Sequence, residues 1–146
     1  MSSDCIFCKI VRAEIPSHKV FDDAHSFAFL DIKPLARGHT LVIPKKHFGK
    51  LEDMPIEDTA SLMRAVRQVT PAVSGAVGAP ATTIAINNGK EGGQEVAHVH
   101  VHVVPRWEKD GFGPIHALFR NKKPVPTEDL ARLAETMRGE TARATP

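Results

Sequence analysis

The residues from Val96 to Val104 read VAHVHVHVV, and this alternation is the strongest constraint on what the chain can fold into. Valine is β-branched and favours extended backbone, and successive side chains of a strand point to opposite faces of a sheet. The pattern therefore predicts a strand that buries its valines and presents His98, His100 and His102 together on the other face. One face belongs to the core, and the other carries imidazoles available for chemistry.

Three imidazoles in one row restrict each other's charge. Alternate residues of a strand lie roughly 6.6 Å apart, where two charges repel by about 2.5 kcal/mol at an effective dielectric constant near 20. This repulsion corresponds to about two pKa units, so the three rings cannot comfortably all be protonated. Such a row suits a site in which one histidine attacks and another stabilises charge or donates a proton. A His-rich surface strand without a function is the alternative.

The rest of the chain predicts an α+β domain. Further strands are expected at 19–23, 26–32, 39–44 and 82–87, and strands with short connections pair antiparallel. A short helix is expected at 5–13, and an amphipathic helix at 56–77, where Pro71 predicts a kink or a restart. A last helix is expected at 127–138, with Thr127 as its N-cap. The sheet is therefore mainly antiparallel.

Length and charge limit the possible partners. The 146 residues are enough for one domain with a hydrophobic core. The formal net charge of +2 is nearly balanced, which argues against nucleic acid and favours a small molecule or a protein. We see no secretory leader and no apolar run of the roughly 18 residues that a membrane span needs. We therefore expect a cytoplasmic protein that binds neither membranes nor nucleic acids.

The two cysteines, Cys5 and Cys8, form a C-x-x-C motif. In a reducing cytosol such a pair is more often a metal clamp or a redox pair than a structural disulfide. A thioredoxin-like role also requires a preceding strand and a βαβ unit, whereas this motif lies almost at the N-terminus. A metal clamp is therefore favoured over a redox pair.

The HVHVHVV segment resembles the His-x-His-x-His-x-x signature of the histidine triad (HIT) superfamily, where x is apolar. Three longer blocks, at 5–23, 28–47 and 85–106, are similar in the same order to blocks of Hint-type and bacterial HIT proteins. The resemblance implies a five-stranded antiparallel sheet with helices on one side, paired as a homodimer. We expect a HIT core at 1–106 and a C-terminal extension at 107–146 that belongs to the same domain and ends in a helix.

The resemblance also assigns catalytic roles. His100 matches the histidine that attacks the α-phosphorus of a nucleotide, forming a nucleotidyl-histidine that water then cleaves. Neutral imidazole is a good nucleophile that also leaves well, and a covalent intermediate divides one difficult displacement into two easier steps. His98 and His39 match the relay that orients the nucleophile, and His102 matches the ring near the phosphate and the leaving group.

The nucleotide site is implied in the same way. Glycines let backbone amides approach phosphate oxygens closely, and the resemblance places the phosphate against Asn87, Gly93, Gln94 and Val96. The resemblance also implies that Asp31 binds the ribose hydroxyls. It implies that an apolar slot for the base is formed by Phe7, Ile10, Phe29 and Ile32. Hint proteins commonly have a small hydroxyl residue where this chain has Glu95. A carboxylate there would repel phosphate, so Glu95 either points away or alters the leaving-group preference.

Metal and substrate follow from the same resemblance. Many bacterial HIT proteins bind zinc through residues that correspond here to Cys5, Cys8, His47 and His98, and two thiolates with two imidazoles suit a structural tetrahedral Zn²⁺. No organic cofactor is implied. The expected activity is a nucleotide hydrolase or transferase acting on purine nucleoside 5′-phosphoramidates or related AMP or GMP conjugates. Two alternatives are a Fhit-like dinucleoside polyphosphate hydrolase and a nucleotide-binding regulatory module with little turnover.

Overall fold

The computed structural model describes residues 4–119 and 124–144. The described residues form two compact units, one that ends at Asp110 and one that begins at Gly111. The first unit contains two helices, α1 (Ile6–Val11) and α2 (Ile56–Val77). It also contains five strands, which are β1 (Lys19–Asp22), β2 (Ser26–Leu30), β3 (Thr40–Pro44), β4 (Ala81–Ala85) and β5 (Val101–Arg106). The second unit contains a short 3₁₀ helix, Ile115–Phe119, and the terminal helix α3 (Thr127–Ala144).

The five strands form one antiparallel sheet in the order β1-β2-β3-β5-β4, which confirms the predicted α+β fold. The hairpin of β2 and β3 pairs Ser26 with Pro44 and Leu30 with Thr40. Strand β5 lies between β3 and β4, so His102 pairs with Leu41 on one side and with Ala85 on the other. His102 is thereby fixed in the interior of the sheet.

The two faces of the sheet bury different clusters. Helix α2 packs its buried side chains, including Leu62, Val66 and Val69, against the face that carries Ala28, Val42 and the valines of the histidine segment. Side chains from α1 pack on the opposite face, in a cluster of Phe7, Ile10, Phe27, Phe29, Leu41 and Ile43. The two helices therefore lie on opposite faces, whereas the family resemblance implied helices on one side.

Helix α2 has the predicted bounds. It continues through Pro71 to Val77, so the predicted restart is absent. The helix ends because Gly78 adopts a left-handed conformation, with φ of +65°, that glycine accepts without steric cost. The backbone N–H of Ala79 donates to the carbonyl of Ser74 at 3.0 Å, which satisfies one of the last carbonyls of the helix.

The histidine strand begins later than its sequence pattern predicts. Only His102 lies inside β5, and His98 and His100 precede it. The backbone turns at His98, whose N–H donates to the Val96 carbonyl at 2.8 Å, and the N–H of Val99 donates to Phe48 at 2.8 Å. These bonds replace the sheet ladder. The alternation still separates the two faces, because Val99, Val101 and Val103 are all buried in the α2 cluster.

Helix α3 is longer than predicted. It begins at Thr127, so Thr127 is its first residue and the preceding Pro126 accepts from the N–H of Asp129 at 3.1 Å. Among the residues at 4–119 and 124–144, no helix has the length and apolar character needed to cross a membrane.

Candidate active site and metal centre

Two cysteines and two histidines converge beside α1. The ligand atoms of Cys5, Cys8, His47 and His98 all lie within 4.8 Å of one another. The Cys5 Sγ lies 3.5 Å from His98 Nδ1, the Cys8 Sγ lies 3.5 Å from His47 Nδ1, and the Cys8 Sγ lies 3.7 Å from His98 Nδ1. With zinc–sulfur bonds of about 2.3 Å and zinc–nitrogen bonds of about 2.0–2.1 Å, tetrahedral geometry separates sulfur from nitrogen by about 3.6 Å. The cluster has the dimensions and the donor set of a closed metal site.

The ring of His98 is oriented for metal binding by a backbone carbonyl. Its Nε2 lies 2.9 Å from the carbonyl oxygen of Pro44, which can only accept, so Nε2 carries the proton. The lone pair of Nδ1 then faces the two sulfurs, as a metal ligand requires. Burial lowers the pKa of His98 to about 4, which keeps the ring neutral near pH 7.

His98 reaches the predicted nucleophile through its main chain. The Nδ1 atom of His100 lies 2.7 Å from the carbonyl oxygen of His98 and donates to it. The proton of His100 therefore resides on Nδ1, and Nε2 keeps its lone pair. The ring is 5% exposed and packs edge to face with Phe7, with a distance of 5.3 Å between the ring centroids.

His39 pairs with His102, although the resemblance placed it in a relay with His98. Its Nε2 lies 2.9 Å from His102 Nδ1, and the two rings are nearly stacked, at 27°. Asp31 completes this group, with Oδ2 lying 3.5 Å from His39 Nδ1. Burial lowers the pKa of His39 against the opposing effect of Asp31, and it lowers the pKa of His102 to about 4. Both rings are therefore neutral near pH 7.

The predicted phosphate loop is held by its own side chains. Gln94 donates from Nε2 to the carbonyls of Gly49 at 2.8 Å and Val96 at 2.9 Å, and its Oε1 accepts from the N–H of Gly89 at 2.7 Å. Asn87 donates to the carbonyl of Gly93 at 3.4 Å. The Gln94 amide thus has partners within the loop and at Gly49 outside it, and its contribution in this structure is to order the loop and to hold it against Gly49.

The residues predicted to hold the nucleoside separate into two groups. Phe7, Ile10 and Phe29 are buried together, with the rings of Phe7 and Phe29 edge-on at 5.5 Å. Ile32 is 80% exposed and lies outside that cluster. The Asp31 side chain is 20% exposed, and its Oδ1 accepts from the N–H of Lys33 at 2.8 Å.

Glu95 borders an open cleft of about 830 Å³ next to the phosphate loop. Its side chain is exposed, and Lys50 and Asp53 also line the cleft. Charges of both signs line this cleft, so a carboxylate is accommodated there in water.

Several groups that organise the site are main-chain atoms. The carbonyl of Pro44 orients His98, the carbonyl of His98 orients His100, and the N–H of Leu35 lies 3.2 Å from His39 Nδ1. Every residue type offers a backbone carbonyl, and every type except proline offers an N–H, so side-chain identity gave no signal for these groups.

The HIT domain family model matches residues 12–109. The chain belongs to the HIT family. An uncharacterised HIT-like protein of Methanocaldococcus jannaschii is 47% identical over 107 residues, which cover 73% of this chain and 82% of that protein. The adenosine 5′-monophosphoramidase HNT1 of Saccharomyces cerevisiae is 44% identical over 113 residues, which cover 77% of this chain and 69% of that protein. These matches confirm the family resemblance and agree with the fold.

A solved structure is relevant to the metal site. The chain is similar to the crystal structure of a Zn-bound histidine triad family protein from Mycobacterium smegmatis, with a TM-score of 0.72 and 34% identity. The match covers 97% of this chain and 97% of the Mycobacterium chain.

Proposed function

We propose that this HIT protein hydrolyses purine nucleoside 5′-phosphoramidates and related AMP or GMP conjugates, with His100 as the nucleophile. The observation that carries the proposal is the 2.7 Å hydrogen bond from His100 Nδ1 to the His98 carbonyl. This bond leaves a lone pair on Nε2 and gives the ring a partner that stabilises positive charge. The name of the yeast relative, an adenosine 5′-monophosphoramidase, supports this substrate class.

The reaction proceeds in two displacements at phosphorus. The His100 Nε2 lone pair forms a bond to the α-phosphorus, and the bond from phosphorus to the leaving nitrogen breaks. The leaving nitrogen departs with the bonding pair and takes a proton from solvent, while His100 becomes a cationic nucleotidyl-imidazolium that keeps its Nδ1–H bond to His98. Water then attacks the phosphorus, the P–Nε2 bond breaks, and His100 recovers its lone pair as the water proton passes to solvent.

His102 supplies a hydrogen-bond donor beside the nucleophile. Its Nε2 is buried and has no hydrogen-bond partner among the described residues, and the two rings lie edge to face with centroids 4.9 Å apart. A buried donor without a partner is costly, and a ligand oxygen or nitrogen would satisfy it. In our proposal the partner is a phosphoryl oxygen or the leaving nitrogen of the substrate.

The nucleotide occupies the surface next to these histidines in this proposal. The base lies against Phe7, Ile10 and Phe29 with Ile32 at the exposed rim, and Asp31 accepts from the ribose hydroxyls. Phosphate oxygens bind the loop that contains Asn87, Gly93 and Val96. Gln94 contributes by holding that loop. Gly93 is suited to this position because its φ is +90°, which other residues rarely adopt.

The metal of the Cys5, Cys8, His47 and His98 cluster is zinc in this proposal. The sulfur-to-nitrogen distances of 3.5–3.7 Å match tetrahedral zinc, and the Zn-bound Mycobacterium relative supports this choice. Four protein ligands make the site structural, because no coordination position remains open. Elemental analysis of protein purified without added metal should find about one zinc per chain. A folded, active and metal-free preparation would contradict the assignment.

A homodimer is also part of the proposal. Strand β4 is an edge of the sheet, and its Ile84 is 46% exposed. An open edge strand with an apolar side chain is commonly covered by a second chain. Analytical ultracentrifugation at micromolar concentration should give a dimer, and a stable monomer would count against it.

The covalent intermediate gives the decisive test of function. Enzyme mixed with an AMP amidate and quenched in base, where phosphohistidine survives, should carry AMP on His100 when the peptides are analysed by mass spectrometry. An adduct on His98 or His102 would contradict the mechanism. Comparison with diadenosine polyphosphates tests the Fhit-like alternative, which predicts faster turnover of the dinucleotide. Binding of AMP with negligible turnover of either substrate would indicate a regulatory module.

A further inference from the structure

The turn that joins β2 to β3 has a rigid backbone. The N–H of Asp31 donates to the His39 carbonyl at 3.0 Å, the N–H of Lys33 donates to Asp31 Oδ1 at 2.8 Å, and the N–H of His39 donates to Ala36 at 3.0 Å. Gly38 has a φ of +89°, and a Cβ atom there would lie 3.0 Å from Val77 Cγ1. The turn is therefore fixed at both ends, and its amides have defined directions.

One of these amides faces the ring of His39. The backbone nitrogen of Leu35 lies 3.2 Å from His39 Nδ1. An amide N–H can only donate, so Nδ1 must present a lone pair. In a neutral ring the proton is then on Nε2, which faces His102 Nδ1 at 2.9 Å. His102 accepts that bond on Nδ1, so its own proton resides on Nε2, the buried atom without a partner among the described residues.

The Asp31 carboxylate competes with this arrangement. If His39 carried its proton on Nδ1, it would donate to Asp31, accept from His102 on Nε2 and turn His102 Nε2 into an acceptor. The Asp31 oxygen is 3.5 Å from Nδ1, which is long for such a bond, whereas the 3.2 Å contact with Leu35 is within the usual range. Burial lowers the pKa of His39, which disfavours a second proton on the ring.

We propose that the backbone amide of Leu35 is a positioning group that fixes the tautomers of His39 and His102, so that His102 presents an N–H to the substrate. Two backbone groups then impose opposite tautomers on neighbouring rings: the His98 carbonyl makes His100 a nucleophile at Nε2, and the Leu35 amide makes His102 a donor at Nε2. The catalytic consequence rests on the proposed function, whereas the tautomers are a property of the protein without substrate.

Nuclear magnetic resonance of the ¹⁵N-labelled full chain, with its metal as purified, tests the tautomers directly. Long-range ¹H–¹⁵N spectra near pH 7 should show protonated Nε2 in His39 and His102, and protonated Nδ1 in His100. A coupling across the hydrogen bond should connect the Leu35 amide nitrogen to His39 Nδ1. A proton on Nδ1 of His39 or His102, or a Leu35 amide without this coupling, would overturn the inference.

A pair of variants tests the catalytic consequence. Leu35→Pro removes the N–H, and Leu35→Ala keeps it while removing a side chain that is 60% exposed. Leu35→Pro should let His39 carry its proton on Nδ1 and donate it to Asp31, which would reverse both tautomers in the spectrum. It should lower kcat by roughly 10²-fold, with KM changed by less than about threefold. Leu35→Ala should retain the wild-type tautomers and kcat. A folded Leu35→Pro protein with unchanged tautomers and kcat would overturn the proposal.

The wild-type spectrum decides the matter if Leu35→Pro does not fold. Normal turnover by protein whose His102 carries its proton on Nδ1 would overturn this inference and leave the proposed function intact. The expected tautomers in a protein without turnover would support the inference and contradict the proposed function.

Discussion

The histidines on the two sides of His100 have the same side chain, but the groups that surround them differ. On one side, His98 and His47 face the sulfurs of Cys5 and Cys8, within 4.8 Å of one another. On the other side, His102 and His39 face each other and a carboxylate. The first group offers lone pairs that converge on one point, whereas the second forms a directed chain of hydrogen bonds.

The difference originates in the backbone group that each ring meets. A carbonyl faces His98 and accepts a hydrogen bond from its Nε2–H, which leaves the Nδ1 lone pair facing the thiols. An amide faces His39 and leaves its proton on Nε2, which points toward His102. We therefore expect the group of Cys5, Cys8, His47 and His98, called the metal side below, to contribute mainly to stability. We expect the group of Asp31, His39 and His102, called the relay side, to contribute mainly to turnover.

Removal of the central ring should have the largest effect on activity. His100→Ala is expected to lower kcat by at least about 10³-fold, because no other ring has its Nε2 lone pair prepared in this way. Affinity for AMP should change little, since the proposed binding contacts are elsewhere. Steady-state kinetics and calorimetric AMP titration measure the two effects, with His18→Ala, an exposed histidine, as the control. Near-normal turnover in His100→Ala would remove His100 as the nucleophile.

Loss of a metal ligand should mainly destabilise the protein. Cys8 is completely buried, and Cys8→Ser replaces a proposed thiolate ligand without a large change in volume. We expect the bound metal to be lost and the free energy of unfolding to fall by about 3 kcal/mol or more. Urea unfolding with metal analysis measures this, and kcat per folded molecule should stay within about fivefold of wild type.

A chelator provides the matched control for Cys8→Ser. Wild-type protein stripped of metal should become as unstable as the variant and should recover when zinc is returned, whereas Cys8→Ser should not recover. A variant that is stable without metal, or that loses turnover while keeping its stability, would contradict the division between the two sides.

The sequence predicted most of the fold because its patterns are local. The alternation around His100 correctly separates the valines of the core from the imidazoles, and the spacing of Leu62, Val66 and Val69 correctly predicts α2. The prediction of where β5 starts was wrong, because the N–H of Val99 donates to the carbonyl of Phe48, a residue distant in the sequence. A period-two pattern indicates which face a residue occupies, and it contains no information about its hydrogen-bond partner.

The site was predicted only in part for the same reason. The family resemblance named the side chains that the structure brings together, including His39 and His102. It did not name the partners that fix their protons, and it linked His39 to His98. Residues Pro44 and His98 are 54 positions apart, and the contact between them uses a backbone carbonyl. Only the folded chain reveals such a pair.

The relay side is tested by replacing its donor. His102→Ala should lower kcat by roughly 10²-fold, because the proposed N–H at Nε2 is lost. His102→Gln retains an N–H donor of similar reach, so its kcat should be about tenfold higher than that of His102→Ala. A merely structural role of His102 would not predict this difference. Both variants should keep the full metal content. Equal turnover in the Ala and Gln variants would contradict the role of His102 as a donor.

The smallest expected effect is the contribution of His102 to the pH dependence of stability. Burial lowers its pKa from 6.5 to about 4, so as the pH falls the unfolded chain takes up this proton first. The stabilisation from the neutral ring is present above pH 6.5 and is lost progressively as the pH falls toward 4. The shift corresponds to about 3 kcal/mol at most, and partial exposure reduces the expected value to about 2 kcal/mol.

Urea unfolding at pH 7 and pH 4.5 measures the loss in wild type and in His102→Gln, which has no titrating ring at this position. The proposed metal ligands are the same in both proteins, so the effect of their protonation cancels in the difference. The variant should therefore lose about 2 kcal/mol less than wild type, and equal losses would mean that His102 is not held neutral by its surroundings.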